Sequence, residues 1–184
     1  MSPADRADER TLVAAAQNGD VSAFEMLLRS HVDAVYAHGL RFFGDPEAAQ
    51  DVVQEVFLKV YRSIGTYDGN AAFSTWLFRV ARNVCLDMFR QNRRRPVPVD
   101  PVELAAGSTP DHASSVLDGV MLEKAIRVLQ PEDRDALNAV SLFGMSYQEA
   151  AEVLEVPVGT VKSRVFRARR TLVAAMGAPG GDSQ

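Results

Sequence analysis

MSYQEAAEVLEVPVGTVKSRVFRARRTL, residues 145–172, contains the signals of two helices joined by a tight turn. Ser146 and Glu149 stand three residues apart, which is the capping-box pattern of a helix start. The segment EVP at 155–157 then ends this helix, and Pro157 can also stand at the start of the next one. A short helix, a tight turn and a second helix together predict a helix-turn-helix.

The second helix of this motif has one apolar stripe and a basic outer face. The stripe consists of Val161, Val165, Ala168 and Leu172, which recur at helical spacing. Between residues 162 and 170 the chain has five basic residues and no acidic one. A helix in the DNA major groove needs cations for phosphates and N-terminal side chains for base edges, so DNA binding is favoured over a merely solvated face. The candidate residues are Thr160, Lys162, Ser163, Arg164, Phe166, Arg167, Arg169 and Arg170.

Helical periodicity continues upstream of this motif, and no stretch alternates convincingly as a strand would. Pro131, followed by two acidic residues, is predicted to open a helix that ends near Gly144. Its residues Leu137, Val140 and Leu142 are predicted to pack in a core. Further helices are predicted at about residues 9–17, 21–43, 46–64 and 73–92, with a loop at about 65–72.

A change of composition divides these helices into two groups. Residues 96–115 hold four of the nine prolines, with Gly107 and several Ser and Asp, and few large apolar side chains. Such a stretch is typical of a linker. The sequence therefore predicts an all-α protein with two small helical domains, at residues 1–95 and 117–177, joined by a flexible linker at 96–116. The tail at 178–184 is predicted to be disordered.

The composition excludes several classes of protein. A length of 184 residues suffices for two small domains, and 47% apolar residues allow each to bury a core. The formal charge of −4 argues against nucleic-acid binding only as an average, because the basic residues are segregated. No apolar run is long enough for a membrane span and the N-terminus lacks a signal peptide, so a cytoplasmic protein is expected. The single cysteine, Cys85, excludes an internal disulfide and is predicted to be a buried apolar residue.

The third predicted helix carries a stripe of carboxylates. Glu47, Asp51 and Glu55 recur at every fourth position and therefore share one face. Asp45 and Glu47 can be explained by the capping and dipole of a helix start, but Glu55 lies too far along the helix. A metal site has little support, because no histidine or further carboxylate stands at a ligand spacing. A docking face for a basic partner accounts for the whole stripe.

The fourth predicted helix is apolar on one side and basic on the other. Its apolar, core-facing side holds Phe73, Trp76, Leu77, Val80, Ala81, Val84 and Met88, and the opposite side holds Arg79, Arg82, Asn83 and Arg90. Residues 73–95 contain six arginines and a single acid, Asp87. Because Leu86 and Phe89 fall outside the apolar stripe, apolar surface lies beside the basic face. Basic and aromatic groups together suit a single nucleic-acid strand, whose phosphates and exposed bases both need partners.

Three blocks of this sequence resemble the extracytoplasmic-function group of sigma factors. The blocks are DPEAAQDVVQEVFLKVYRSI at 45–64, FSTWLFRVARNVCLDMFRQNRRR at 73–95 and the helix-turn-helix at 145–172. The resemblance covers about residues 11–176, in the order and spacing of the family. A lone helix-turn-helix would be weak evidence, whereas three ordered blocks around a Pro-rich linker are specific. The resemblance implies a protein that is not an enzyme and that directs RNA polymerase to promoters.

The resemblance also implies roles for the matching residues. Docking on the clamp helices of the largest polymerase subunit would use Asp51, Gln54, Glu55 and Phe57, in agreement with the acidic stripe. Capture of the unwound −10 strand, with a flipped base in a pocket, would use the loop at 66–72 with Asn70, and Arg79, Arg82, Asn83, Asp87 and Arg90. Recognition of the −35 element would use Thr160, Lys162, Ser163, Arg164, Phe166, Arg167 and Arg170.

Core polymerase and promoter DNA are the partners that the resemblance implies, and the family commonly has an anti-sigma factor that wraps both domains. No catalytic residue, metal ligand or cofactor is predicted. Because polymerase brings such a protein to DNA, weak intrinsic DNA affinity is expected. The main alternative is a regulator that senses a signal or dimerises through its N-terminal half and binds an operator without polymerase. A nucleic-acid-processing enzyme is disfavoured, since His31, His38 and His112 show no paired nucleophile or metal-binding carboxylates.

Overall fold

The computed structural model describes residues 3–94 and 128–177, and within these ranges the chain is helical and forms no strand. The all-α fold class with two helical units is therefore confirmed. The predicted linker at 96–116 and the predicted tail at 178–184 lie outside the described residues. In the part of the chain that is described, no helix is both long enough and apolar enough to cross a membrane.

The described residues form an N-terminal unit of five α-helices and a C-terminal unit of three. The N-terminal helices are α1 (Pro3–Gln17), α2 (Val21–Arg29), α3 (Val32–Phe43), α4 (Pro46–Ser63) and α5 (Phe73–Arg94), with a short 3-10 helix at Ile64–Thr66 after α4. The C-terminal helices are α6 (Pro131–Ser141), α7 (Tyr147–Leu154) and α8 (Val158–Gly177). Helices α7 and α8 are the two helices of the predicted helix-turn-helix.

The prediction of one continuous helix over residues 21–43 is wrong, because the chain breaks between α2 and α3. Ser30 donates its hydroxyl to the backbone oxygen of Leu27 at 2.8 Å. The backbone N–H of His31 bonds to the oxygen of Leu28 at 2.9 Å, which tightens the last turn. Serine side chains compete with the helical hydrogen-bond ladder in this way. The apolar periodicity on both sides of the break concealed it.

Local capping defines the helix-turn-helix. The Ser146 hydroxyl accepts from the backbone N–H of Glu149 at 3.2 Å, and the Glu149 carboxylate accepts from the N–H of Ser146 at 2.8 Å, so the predicted capping box is confirmed. Helix α7 ends at Glu155, which adopts a left-handed conformation with φ 55°. Pro157 therefore does not end α7, but its carbonyl accepts from Thr160 N–H at 2.8 Å and starts α8.

The core of the N-terminal unit lies between α3, α4 and α5. Its buried residues include Val35, Val52, Val56, Val60, Phe73, Leu77, Phe78, Ala81 and Val84. Gly39 allows α3 to approach α4 closely, because a Cβ atom there would lie 3.0 Å from the Cβ of Val52. Trp76 packs against this core, as predicted, and its ring also contacts Tyr67 with centroids 5.5 Å apart. These contacts fix α5, which carries the basic face.

The core of the C-terminal unit forms where α8 packs on α6 and α7. The predicted stripe of α8 faces inward, with Val161, Val165 and Ala168 buried and Leu172 half-buried. On α6, Leu137 is buried, and Val140 and Leu142 at its end are half-buried against the same core. The outer side of α8 is therefore left for other contacts.

The two units contact each other through α3 and α5 on one side and through α6, its following loop and α7 on the other. Phe143 is buried against the rings of His38 and Phe78, with centroids 5.9 and 5.1 Å apart. The side-chain oxygen of Asn138 accepts a hydrogen bond from the Arg41 guanidinium at 2.8 Å. In this orientation the amide nitrogen of Asn138 lies 3.1 Å from Nδ1 of His38. Burial and the neighbouring arginines lower the pKa of His38 to about 3, so the imidazole at this contact is neutral.

Candidate nucleic-acid interface

The outer face of α8 holds the predicted −35 residues. Lys162, Ser163, Arg167 and Arg170 are exposed, and Phe166 has 66% of its surface exposed. Thr160 and Arg164 are half-buried at the edge of this face. These residues follow the turn after α7 and lie between positions 160 and 170 of the 20-residue helix Val158–Gly177. A helix presented in this way can enter a DNA major groove end-on.

Arg167 also has a structural role that the sequence did not reveal. Its Nη2 and Nε atoms donate to the two carboxylate oxygens of Asp133 at 2.7 and 3.1 Å. Asp133 is buried, and this hydrogen bond raises the pKa of Arg167. The sequence predicted for Asp133 only a role at the start of α6. Its ion pair with Arg167, 34 positions away, could not be predicted from the spacing of residues in the sequence. Arg167 therefore links α8 to α6 independently of any contact that it makes with DNA.

The basic face of α5 is partly engaged by the C-terminal unit. Arg79 and Asn83 are exposed. The Nε atom of Arg82 donates to the carboxylate of Asp135 on α6 at 2.8 Å. The two residues are 53 positions apart, so this pair arises only from the contact between the units. One predicted −10 cation is thus held by an internal carboxylate.

Asp87 on α5 lies between two cations, one on α4 and one on α5. Its carboxylate accepts from Lys59 Nζ at 3.1 Å and from Arg90 Nη1 at 3.4 Å. A carboxylate repels phosphates, but it can hold neighbouring cations in a fixed orientation. Lys59, on α4, is an addition to the predicted set, and its distance of 28 positions from Asp87 explains why the sequence did not indicate it.

The loop before α5 is closed by hydrogen bonds within itself. The Tyr67 hydroxyl donates to the carbonyl of Ala71 at 2.6 Å, and burial raises the pKa of this tyrosine. Asp68 accepts from both the backbone and the side-chain N–H of Asn70, and these hydrogen bonds lower its pKa. Asn70 is exposed and lines a cavity together with Arg79. The structure thus brings the predicted loop and the predicted helix together.

The acidic face of α4 is exposed. Asp51, Gln54 and Glu55 line a groove between α4 and α5. Phe57, by contrast, is half-buried against the core, so its position is explained by packing. Leu58 and Tyr61 lie on the same helix and are 48% and 64% exposed. The sequence did not predict their exposure, because they continue the apolar pattern of the residues that face the core.

Other reactive groups are few within residues 3–94 and 128–177. Cys85 is buried, and burial raises its pKa to about 12, which suits a packing residue. In these ranges no group of three or more His, Cys, Asp or Glu side chains is placed to hold a metal ion.

The chain matches two family models and several characterised proteins. The model described as Sigma-70 region 2 matches residues 27–95, and the model described as Sigma-70, region 4 matches residues 119–172. The RNA polymerase sigma-H factor of Pseudomonas aeruginosa is 37% identical over 183 residues, covering 91% of this chain and 93% of that protein. The ECF RNA polymerase sigma-E factor of Escherichia coli K12 is 34% identical over 177 residues, covering 89% and 92%.

A solved structure has a similar fold over almost the whole length. CnrH, in complex with the cytosolic domain of CnrY, superposes with a TM-score of 0.71 and 27% sequence identity. The match covers 94% of this chain and 99% of CnrH.

An all-helical chain with a basic helix-turn-helix in one unit and a basic, aromatic helix in the other is a DNA-binding protein of the transcription machinery. The family models match both units and the relatives match most of the chain, and together they define the family within this class of DNA-binding proteins. The chain belongs to the extracytoplasmic-function group of the sigma-70 family, and it functions as an RNA polymerase sigma factor. The alternative of an operator-binding regulator that works without polymerase is not favoured.

Proposed function

We propose that this sigma factor recognises promoters with two surfaces and binds core RNA polymerase with a third. The observation that carries the proposal is the presence of two exposed basic faces on two helical units, on α8 and on α5, beside an acidic face on α4. Residues 1–95 form the domain for polymerase and the −10 element, and residues 117–177 form the domain for the −35 element. The linker at 96–116 lets the two act at separate DNA segments.

The −35 element is recognised by α8 in the major groove. Lys162, Ser163 and Arg164 lie in the first two turns of the helix and contact base edges or the phosphates beside them. Phe166 offers an apolar contact, for which a thymine methyl group is the matching surface. Thr160, Arg167 and Arg170 complete the face. Arg167 keeps its bond to Asp133 and so contributes to orientation as well as charge.

The −10 element is captured as a single strand by α5 and the preceding loop. Asn70 and Arg79 line one side of a cavity that is also lined by Glu149 and Glu152 of α7, and the side with Asn70 and Arg79 is the proposed site for a base flipped from the stack. Arg82, Asn83 and Arg90 follow along α5 for phosphates and bases, with Asp87 holding Arg90 in place. Melting is driven by this binding energy, and the chemistry of RNA synthesis is left to the polymerase.

Core polymerase docks on the acidic face of α4. Asp51, Gln54 and Glu55 present carboxylates and an amide to a basic helical surface, the clamp helices of the largest subunit. Phe57 supports the face from beneath through its core contacts. Because polymerase and nucleoid are the partners, the proposed location is the cytoplasm.

An anti-sigma factor is a further proposed partner. The similar protein CnrH is bound to the cytosolic domain of CnrY. In this chain, Phe89 and Phe166 are 45% and 66% exposed beside the two basic faces. Exposed aromatic side chains next to cations suit a protein partner that covers both promoter-binding surfaces.

The contact between the two units accounts for weak DNA binding by the free chain. We expect Asp135→Asn, which removes the charge facing Arg82, to strengthen binding of the free chain to a single-stranded −10 oligonucleotide by up to about fivefold, since partly exposed ion pairs contribute about 0.2–1 kcal/mol. Fluorescence anisotropy measures this. Glu132→Gln, an exposed acid on the same helix, is the matched control and should have no effect. Equal effects of the two changes would refute the prediction.

Site-specific photo-crosslinking tests the assignment of the two surfaces. A crosslinking amino acid replaces Ser163 or Asn83 in the full chain, which is assembled with core polymerase on a promoter. We expect position 163 to crosslink to the −35 duplex and position 83 to the unwound −10 strand. Glu25, exposed on α2, is the control position and should give no DNA crosslink. Crosslinks from both positions to one DNA segment would contradict the proposal.

A further inference from the structure

The side chain of Gln17 connects the end of α1 to the segment that leads into the −10 loop. Its amide nitrogen donates to the carbonyl oxygen of Ile64 at 2.9 Å and to that of Tyr67 at 2.8 Å. The Ile64 carbonyl belongs to the first residue of the 3-10 helix Ile64–Thr66, and the Tyr67 carbonyl belongs to the residue directly after this helix. The two residues lie 47 and 50 positions from Gln17 in the sequence. One side chain thus holds both ends of this short turn.

This contact requires a side chain with two N–H donors, which the primary amide of glutamine supplies without a charge. Two carbonyl oxygens that face the same point repel each other unless donors lie between them, and the NH₂ group of glutamine supplies two. Glutamate has the same shape but no donor, and methionine has a similar volume but no polar hydrogen. Asn18, the next residue, cannot substitute, because its amide donates to Ala14 within α1 at 2.8 Å.

The position of Tyr67 determines the shape of the loop that follows. Its hydroxyl closes the loop on Ala71, and its ring contacts the rings of Phe73 and Trp76 at centroid distances of 5.7 and 5.5 Å. Asn70, the exposed residue assigned to the −10 strand, lies inside the segment closed in this way. A shift of the Tyr67 backbone therefore displaces the loop as a whole.

Helix α1 also reaches the cavity at which this loop ends. Glu9 and Arg10 line it together with Asn70 and Arg79. The N-terminal helix thus lies beside the proposed −10 pocket, although its residues were not part of the predicted DNA-binding set.

We propose that Gln17 is a positioning residue for −10 recognition: it fixes the Ile64 and Tyr67 carbonyls and thereby holds the loop at residues 67–72 in the conformation that accepts the unwound strand. Gln17 makes no DNA contact itself. The inference rests on the proposed assignment of this loop to the −10 element, whereas the hydrogen bonds that carry it do not depend on that assignment.

The test compares Gln17→Met and Gln17→Glu with Asn18→Ala in the full chain. Hydrogen exchange of the free protein reports the loop directly, and we expect faster exchange at residues 67–71 in both Gln17 variants only. With core polymerase bound, binding of a matched and a scrambled −10 oligonucleotide reports recognition. We expect the preference for the matched strand to fall by about fivefold or more, because one specific base contact contributes about 1–3 kcal/mol. Affinity for polymerase should stay unchanged.

Three outcomes separate the claims. Unchanged exchange and unchanged preference in the Gln17 variants overturn the positioning role. Equal weakening on matched and scrambled strands, with a lower unfolding temperature, also overturns it, because a purely structural residue would act in that way. In the third outcome, the loop exchanges faster but the preference for the matched −10 strand is intact, and Asn70→Ala also binds this strand normally. The loop then does not recognise the −10 strand, and its proposed function is refuted together with the role of Gln17.

Discussion

We expect charge reversal of Asp51 and Glu55 to lysine to lower the affinity of this chain for core RNA polymerase by about 100-fold, or about 2.7 kcal/mol. Both carboxylates are exposed one turn apart on α4, so the double change turns an acidic face into a basic one without disturbing the core. Like charges brought together across an interface oppose binding by several kcal/mol. Titration of labelled chain with purified core polymerase measures the effect, which should be largest at low salt.

Glu25→Lys supplies the control for this experiment. Glu25 is also exposed, but it lies on α2, so its reversal, which changes the net charge by half as much as the double variant, tests whether positive charge elsewhere on the surface lowers the affinity. We expect near-normal polymerase affinity for this variant. Comparable losses for Glu25→Lys, or full affinity of the double variant, would show that polymerase docks elsewhere on the chain.

We expect replacement of Lys162 and Arg164 with alanine to reduce transcription from promoters that depend on a −35 element by about 30-fold or more, because two specific base contacts of about 1–3 kcal/mol each are lost. Both residues lie in the first turns of α8 and outside its buried stripe. Promoters whose −35 element has been scrambled should lose much less. The measurement is run-off transcription from paired templates, and polymerase binding should be unaffected.

Arg29→Ala is the matched control, since Arg29 is also an exposed arginine but lies on α2, away from the proposed DNA-binding face of α8. Arg167 is a poor choice for this test. Its loss would leave the buried Asp133 carboxylate without its bidentate partner and would destabilise the domain as well. An equal loss from Arg29→Ala on both kinds of template would attribute the effect to general charge.

Local signals made much of this fold predictable. The Ser146–Glu149 capping box and the Val161–Val165–Ala168 stripe depend on residues within one or two turns of each other, and both appear in the structure as predicted. The basic outer face of α8 follows from the same stripe, because residues opposite a buried stripe must face outward. The break at Ser30 was missed, since a serine can stand inside a helix or end one.

Pairs that join distant parts of the chain could not be predicted. Arg82 was assigned to DNA from its place on a basic face, and its ion pair with Asp135 depends on how the two units meet. The same holds for Arg167 with Asp133 and for Gln17 with the carbonyls near residue 65. Spacing along the sequence indicates which face a residue occupies, but tertiary packing decides which partner it finds there.

Run-off transcription with purified bacterial core polymerase, over a set of promoter fragments and with or without the chain, shows whether this protein directs polymerase to promoters. Start sites that appear only when the chain is present, and that disappear with the Lys162 and Arg164 double variant, are the result that a promoter-recognising sigma factor predicts. Unchanged transcription, together with tight operator-like binding of duplex DNA by the free chain, would contradict it.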